Sequence, residues 1–430
     1  MYAIFVSLFD GLGDRAYPVL GGRTASEAAL TPHLDALADR GSCGLLWPLG
    51  PGRAPSSELA HWTMLGYRQE EFPGRAVLEA LGHGQAVSPD DALAFAALRP
   101  AERREGALWL TGRPRDEDEA DAKELVALVE RIEIEGLTFS LSYLLRGESI
   151  LRIAGGAHDA VTDTDPFFRD RQPLLRPRAL CAEGERTAAA VTEWSRAVVA
   201  MLEGHSVNAA RRERGAAPLN VITLKWWGRE RPLPSFVDRH GLEGEILGAS
   251  PFLAGLARAL GLGFVRCEEG EDPAADLEGR LDRATEAFEG GATFVLSHQK
   301  ACDEAGHTKD PGAKVRVLEA LDRSAFRLGR PPFNGVVVCV TGDHATPASP
   351  EVIHSGDPVP FVLAGPGVRA DRVRRFGEAD CAEGILGRIR GEDVMPLLLN
   401  AADRPLFLGS RPTPVPGADG FPSAVEPLEA

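Results

Sequence analysis

Side chains that could bind divalent metal ions stand at several widely separated points of this 430-residue chain. They are Asp10, Asp303, His307, Asp343, His344 and His354. Asp303 and His307 are four residues apart, so one turn of helix would place both on one face. Asp343 and His344 are adjacent, and a turn just beyond a strand can aim both at one point. Carboxylates combined with imidazoles suit hard-to-borderline divalent metals such as Mn²⁺ or Zn²⁺, and the residue types do not choose between the two.

Three apolar runs end beside these residues. Residues 4–9, 294–298 and 336–340 are short stretches typical of strands that are buried on both faces of a parallel sheet. Open α/β sheets place their ligands beyond the carboxyl ends of such strands. An isolated Asp-His pair is more often a polar turn than a pair of ligands. Because all three runs end near an acidic residue, the sequence predicts an α/β core in which the candidate ligands converge.

A serine-bearing loop supplies a candidate nucleophile. The Pro- and Gly-rich residues 51–55 run into a predicted helix start at Ser56 and Ser57. A hydroxyl at that position lies near free backbone amides and the positive end of the helix dipole, which suits the acceptance of a phosphoryl group. The alternative is that either serine only caps the helix.

Composition and charge exclude several classes of protein. The chain is 44% hydrophobic and 26% charged, as soluble globular proteins are. Its net charge of −16 argues against nucleic acid or an acidic membrane as a partner. There is no run of about 20 apolar residues that could span a bilayer, and no basic segment typical of a signal peptide. The six cysteines lack Cys-x-x-Cys spacing, so we expect reduced thiols and a cytoplasmic location.

The chain changes character between residues 84 and 185. Short β-like pieces alternate there with an acidic segment, and arginines and prolines are frequent. We interpret 84–185 as an inserted α+β cap domain, and 1–83 with 186–430 as the core domain. Residues 220–224 are predicted to form a strand of the main sheet.

Several motifs together carry a resemblance to a known family. They are Asp10-Gly-Leu-Gly-Asp14, Pro55-Ser56-Ser57-Glu58, Asp303-Glu-Ala-Gly-His307, Gly342-Asp343-His344 and His354. This set resembles the alkaline phosphatase superfamily of two-metal enzymes. Over nearly its whole length the chain looks like the archaeal type of cofactor-independent phosphoglycerate mutase. The resemblance implies a mostly parallel sheet with helices on both faces, and a cap domain inserted into that core.

The resemblance also implies roles for individual residues. One metal site would hold Asp303, His307 and His354, and the other would hold Asp10, Asp343, His344 and the nucleophile Ser57. The serine register favours Ser57 over Ser56, because the family's Pro-Gly-Ser-Asp aligns with residues 55–58. The candidate substrate residues are Arg75, Arg113, Arg146, His158, Asp159 and Lys300. The implied cofactors are two Mn²⁺ or Zn²⁺ ions, and the implied substrate is a small phosphorylated carboxylate.

Departures from the family pattern fall where substrate specificity should reside. Leu144 stands where the family has an arginine after a Ser-Tyr pair, and Lys225-Trp226-Trp227-Gly228 replaces Arg-Gly-Ala-Gly. Three functions therefore stay open: interconversion of 3- and 2-phosphoglycerate, hydrolysis or isomerisation of another phospho- or phosphono-carboxylate, and metal binding without catalysis. The completeness of the ligand set argues against the third. No pattern indicates an oligomeric state.

Overall fold

The computed structural model describes residues 1–167, 172–350, 352–406 and 427–429. It divides into two compact units. The larger unit comprises Met1–Phe72 and Leu233–Ala430, and the smaller unit is the intervening Pro73–Pro232. None of the helices in the described ranges is long and apolar enough to cross a membrane.

The strands and helices are numbered in chain order. The strands are β1 (Ile4–Phe9), β2 (Ser42–Trp47), β3 (Ala92–Arg104), β4 (Ala107–Leu110), β5 (Arg131–Ile134), β6 (Leu137–Leu145), β7 (Glu148–Ala154), β8 (Leu219–Gly228), β9 (Gly244–Gly248), β10 (Gly263–Arg266), β11 (Phe294–Gln299), β12 (Val337–Thr341), β13 (Val359–Ala364) and β14 (Gly387–Arg390). The helices are α1 (Ala25–Ala28), α2 (Pro32–Asp39), α3 (Ser57–Met64), α4 (Arg75–Gly82), α5 (Glu119–Leu128), α6 (Glu185–Glu203), α7 (Ser206–Glu213), α8 (Phe236–His240), α9 (Pro251–Leu260), α10 (Pro273–Glu289), α11 (Ala301–His307), α12 (Pro311–Ala325), α13 (Glu378–Cys381) and α14 (Gly391–Ala401).

The larger unit is built on one eight-stranded sheet with the order β10-β9-β11-β1-β12-β13-β2-β14. All neighbouring pairs are parallel except those made by β13, which runs antiparallel to β12 and β2. Every residue of β1, β11 and β12 is buried. The mostly parallel sheet and its three central apolar strands were predicted from the sequence and are confirmed.

The smaller unit has its own sheet, with the order β4-β3-β7-β6-β5 and with β8 paired to β3. Its pairs are antiparallel. Trp194 of α6 is fully buried and its ring stacks on that of Phe139, with centroids 5.5 Å apart. A separate apolar core therefore stabilises this unit.

The smaller unit is longer than the predicted cap. Residues 220–224 do form a strand, but that strand, β8, hydrogen-bonds to β3 and not to the main sheet. Helix α6, which was assigned to the core, also belongs to the smaller unit. The predicted boundaries of 84 and 185 are therefore wrong at both ends. An apolar run predicts a strand, but its pairing partner is set by distant residues.

Candidate metal centre and nucleophile

Three neighbouring parallel strands of the larger unit position the candidate ligands. β1 lies between β11 and β12, with Phe9 opposite Gln299 and Leu8 opposite Thr341. The carboxyl ends of the three strands therefore meet at one edge of the sheet. The residues that follow the strands lie together there, as predicted.

Gly342 lets the chain that follows β12 come close to β1. A β-carbon at this position would lie 2.6 Å from the carbonyl oxygen of Phe9 and 2.7 Å from Cβ of Leu12. Any side chain would push the two segments apart. The glycine is therefore required just before Asp343 and His344 if these are to face the residue that follows β1.

A first cluster consists of Asp10, Asp343 and His344, all buried, with ligand atoms within 4.8 Å of one another. Nε2 of His344 lies 3.2 Å from Oδ1 of Asp10 and 3.3 Å from Oδ2 of Asp343. Oγ of Ser57 is 2.9 Å from the same nitrogen. The structure thus brings together the four residues that the sequence predicted for one metal site.

A second cluster consists of Asp303, His344 and His354. Oδ1 of Asp303 lies 3.6 Å from Nε2 of His354 and 3.3 Å from Nε2 of His307. The His344 ring stacks on that of His354, with centroids 3.8 Å apart. The three residues predicted for the other site therefore meet around Asp303. His344, which was predicted for one site only, lies close to both sets.

The electrostatics of the first cluster fit a bound cation. Burial raises the pKa of Asp343 well above its ordinary value, and the neighbouring Asp10 carboxylate raises it further. Burial acts the same way on Asp10, but the neighbouring His298 and His344 imidazoles outweigh it and lower the pKa of Asp10. Oδ1 of Asp10 and Oδ2 of Asp343 are buried without a hydrogen-bond partner among the described residues. Buried, adjacent carboxylates need a compensating positive charge, which a divalent metal would supply.

Asp303 is a strong anionic ligand candidate in the second cluster. Burial acts to raise the pKa of Asp303, but hydrogen bonds with His307 and His354 hold it well below its ordinary value. The carboxylate is therefore ionised and, together with imidazole nitrogens, offers a donor set that Mn²⁺ and Zn²⁺ both accept.

Ser57 is the first residue of α3, and Ser56 is its N-cap. The Ser56 hydroxyl accepts no capping hydrogen bond within the described part of the helix. The Ser57 hydroxyl instead points at His344, as the 2.9 Å contact shows. The geometry therefore supports Ser57, and not Ser56, as the serine next to the clusters.

Two buried histidines near the clusters were given no role in the sequence interpretation. Nε2 of His298 lies 3.2 Å from Oδ2 of Asp10, and Nδ1 of His61 lies 2.6 Å from the carbonyl oxygen of Ser57. Burial, and then the charge of His298, lower the pKa of His61 to about 3, so this ring is neutral and its Nδ1 donates to Ser57. His61 is four residues after Ser57 on α3, and this spacing could have identified it.

Lys300 is the candidate substrate residue that lies in the larger unit. Its Nζ is 3.9 Å from Oδ2 of Asp303, and its side chain is 47% exposed. Burial acts to lower the pKa of Lys300, but the carboxylates of Asp10 and Asp303 more than offset this and raise it. A charged and accessible ammonium group therefore stands beside the second cluster.

Two of the other candidates line a cavity of about 240 Å³ in the smaller unit. Arg113 and Arg146 share its lining with Arg99, which the sequence interpretation passed over, and with Lys225, which it noted only as a departure from the family pattern. Burial lowers the pKa of Lys225 to about 7, although nearby carboxylates act in the opposite direction. Nothing in the local sequence around these four residues indicates that they meet, because they come from distant segments.

The remaining candidates, Arg75, His158 and Asp159, make other contacts within the smaller unit. Arg75 pairs with Glu79 at 3.1 Å, and its guanidinium carbon lies 3.9 Å from the centre of the Trp226 ring. Nδ1 of His158 accepts a hydrogen bond from the backbone of Ala160, and Asp159 lies 3.3 Å from Arg231. No contact in the described residues tests a substrate role for these three residues, so that role stays a prediction.

Comparison with known proteins agrees with this arrangement. A family model described as the metalloenzyme superfamily matches residues 3–401. The chain is 36% identical over 423 residues to a 2,3-bisphosphoglycerate-independent phosphoglycerate mutase from Methanocaldococcus jannaschii, covering 96% of this chain and 95% of that one. Two solved structures are similar: a protein from Pyrococcus horikoshii with 28% identity and a TM-score of 0.76, and the cofactor-independent phosphoglycerate mutase from Thermoplasma acidophilum with 29% identity and a TM-score of 0.66. The match to the Pyrococcus horikoshii protein covers 95% of this chain and 99% of that chain. The match to the Thermoplasma acidophilum enzyme covers 94% of this chain and 100% of that chain.

Proposed function

Because the chain belongs to the 2,3-bisphosphoglycerate-independent phosphoglycerate mutase family of the metalloenzyme superfamily, we propose that it interconverts 3-phosphoglycerate and 2-phosphoglycerate through a phosphoserine. The observation that carries this proposal is the 2.9 Å contact between Oγ of Ser57 and Nε2 of His344. It sets a hydroxyl at a helix start beside the candidate metal ligands.

In the proposed reaction, Oγ of Ser57 attacks the phosphorus of 3-phosphoglycerate. The Ser57 hydroxyl gives up its proton, the bond between phosphorus and the oxygen on C3 breaks, and that oxygen takes up a proton as glycerate is formed. The C2 hydroxyl then gives up its proton and attacks the phosphoserine. The bond between phosphorus and Oγ of Ser57 breaks, Oγ takes up a proton, and 2-phosphoglycerate is released. Backbone amides at the start of α3 suit the negative charge that develops on the phosphoryl oxygens.

The donor atoms support two divalent ions, Mn²⁺ or Zn²⁺, as the cofactors. Asp10, Asp343, His344 and Ser57 would hold one ion, and Asp303, His307 and His354 would hold the other. When bound, such ions act as Lewis acids that lower the pKa of a hydroxyl and stabilise charge on phosphoryl oxygens. Hydrogen bonding of His61 to the Ser57 carbonyl oxygen orients the first turn of α3 and with it the nucleophile.

The side-chain chemistry of Lys225 favours a second activity alongside isomerisation, which is the hydrolysis of the phosphoserine to free phosphate. We propose that the cavity lined by Arg113, Arg146 and Lys225 in the smaller unit is a binding site for a carboxylate. With a pKa of about 7, the Lys225 ammonium is charged in only part of the molecules at neutral pH. An ammonium also lacks the forked geometry by which arginine grips a carboxylate. An acid that departs before it accepts the phosphoryl group leaves the phosphoserine to water.

The test follows both products from one incubation. Mn²⁺-loaded protein is mixed with 3-phosphoglycerate, and 2-phosphoglycerate and inorganic phosphate are measured over time. We expect both products, with Ser57→Ala as the inactive control and Lys225→Arg giving a smaller share of phosphate. Formation of neither product would exclude this substrate. Isomerisation without any phosphate would contradict the second activity only.

The binding partner that follows from this proposal is the substrate, a small phosphorylated carboxylate. The six cysteines are present as free thiols. A cytoplasmic location stays our prediction.

A further inference from the structure

Thr346 is a fully buried residue that the sequence interpretation passed over. It follows His344 by two positions, in the segment after β12. Its backbone amide donates to the carbonyl oxygen of Gly13 at 3.1 Å, and its own carbonyl oxygen accepts from Nζ of Lys314 at 3.1 Å. The main chain at Thr346 is therefore fixed from both sides.

The side chain of Thr346 is as closely surrounded as its backbone. A β-carbon at Gly11 would lie 2.5 Å from Oγ1 of Thr346, and one at Gly306 would lie 2.8 Å from its methyl carbon. Both values are shorter than real carbon contacts allow. Two glycines thus make room for this threonine, so the hydroxyl has little freedom to turn elsewhere.

The hydroxyl of Thr346 contacts a residue of each cluster. Oγ1 donates to Oδ1 of Asp303 at 2.7 Å, and it lies 3.1 Å from Nδ1 of His344. A hydroxyl has one proton, and an ionised carboxylate only accepts hydrogen bonds. Because the proton of Oγ1 is directed to Asp303, the contact with His344 requires Nδ1 of the ring to be the donor.

This assignment decides which nitrogen of His344 is left with a lone pair. With the proton on Nδ1, the free lone pair is on Nε2. That nitrogen is the one within 3.3 Å of carboxylate oxygens of Asp10 and Asp343. The hydrogen-bonded chain from Asp303 through Thr346 therefore prepares the imidazole as a neutral ligand.

We propose that Thr346 is a positioning residue of the metal centre, whose hydroxyl links Asp303 to His344 and holds His344 in the Nδ1-protonated tautomer. This inference rests on the proposed function in so far as that function requires metal ions. Residues that orient metal ligands by hydrogen bonds typically change metal affinity by about 10- to 100-fold when they are altered.

The first test uses two variants that separate the hydroxyl from the methyl group. Thr346→Val keeps the shape and loses the hydroxyl, whereas Thr346→Ser keeps the hydroxyl and loses the methyl. Calorimetric titration of the metal-free proteins with Mn²⁺ should show about 10- to 100-fold weaker binding in Thr346→Val and near wild-type binding in Thr346→Ser. Equal weakening in both variants, or none in Thr346→Val, would overturn the proposal.

The second test needs no variant at position 346, and so it holds even if Thr346→Val does not fold. Long-range ¹H–¹⁵N spectra of Zn²⁺-loaded wild-type protein with labelled histidines report the tautomer of each ring. The signal of His344 is identified by its loss in His344→Asn. We expect a proton on Nδ1 of His344, and a proton on Nε2 would overturn the proposal. Weaker Mn²⁺ binding by Thr346→Val in a protein that does not turn over phosphoglycerate would sustain this inference while refuting the proposed function.

Discussion

Lys314 of α12 is a fully buried cation that ties two ligand-bearing segments together. Its Nζ donates to the carbonyl oxygens of Gly13 at 2.8 Å and of Thr346 at 3.1 Å. It also lies 3.8 Å from Oδ2 of Asp14, an atom with no hydrogen-bond partner in the described part of the chain. Replacement by methionine would therefore leave two carbonyl oxygens and one carboxylate without their cation.

The magnitude follows from these contacts. Removing one partner of a buried ion pair costs about 3–5 kcal/mol, and the Thr346 carbonyl, which loses its donor, adds about 1–3 kcal/mol. The Gly13 carbonyl oxygen keeps the hydrogen bond from the Thr346 amide and adds less. Relief from burying the ammonium group offsets part of this, and the 3.8 Å contact is too long for a hydrogen bond. We therefore expect Lys314→Met to lower the free energy of unfolding by about 3 kcal/mol.

The assay is urea denaturation of the metal-free proteins, combined with amide hydrogen exchange of the segments around Gly13 and Thr346. The matched control is Arg316→Met on the same helix, whose side chain is 68% exposed and pairs with Asp310 at the surface. This control should change the free energy of unfolding by less than about 0.5 kcal/mol. A loss below about 1 kcal/mol in Lys314→Met, or unchanged exchange in both segments, would refute the reasoning.

Three further predictions follow from other parts of the molecule. Elemental analysis of the wild-type protein after reconstitution with Mn²⁺ should find two ions per chain, and the Asp343→Ala variant should hold fewer. Absence of metal from the reconstituted wild-type protein would contradict the metal centre. The Lys225 ammonium keeps its proton up to about pH 10 in the unfolded protein but only up to about pH 7 in the folded protein. The free energy of unfolding that depends on Lys225 therefore rises with pH between these two values. Lys225→Met should flatten the rise in unfolding free energy between pH 7 and pH 9, and an unchanged slope would count against the low pKa. Gly306→Ala would press a methyl group against Thr346 and should lower the free energy of unfolding by about 1–3 kcal/mol. The control Gly279→Ala in α10 places its methyl group in open space and should be neutral or stabilising. Equal effects of the two variants in urea denaturation would show that crowding at Gly306 does not matter.

The sequence predicted the centre of the larger sheet because the relevant information is local. The runs that became β1, β11 and β12 are short, apolar and followed by polar residues, and a parallel strand that is buried on both faces has this composition. Once three such strands are neighbours, Asp10 and Asp343 must lie at the same edge. The convergence of the ligands could therefore be predicted before any pairing was known.

The features that the sequence did not predict depend on contacts between distant segments. β8 is apolar enough for either sheet, and its hydrogen bonds to β3 decide its place. The cavity that holds Arg99 and Lys225 forms only when separate strands and loops of the smaller unit meet. The position of His344 between both clusters depends on a ring orientation that no spacing along the chain encodes.

The most direct measurement of the central claim is the capture of the phosphorylated intermediate. Mn²⁺-loaded protein is mixed with 3-phosphoglycerate, quenched in acid within milliseconds to seconds, digested and examined by mass spectrometry for phosphopeptides. We predict phosphoserine at Ser57, formed and consumed as 2-phosphoglycerate accumulates. Phosphorylation of Ser56 in its place, or 2-phosphoglycerate formed with no phosphoserine at any time, would contradict it.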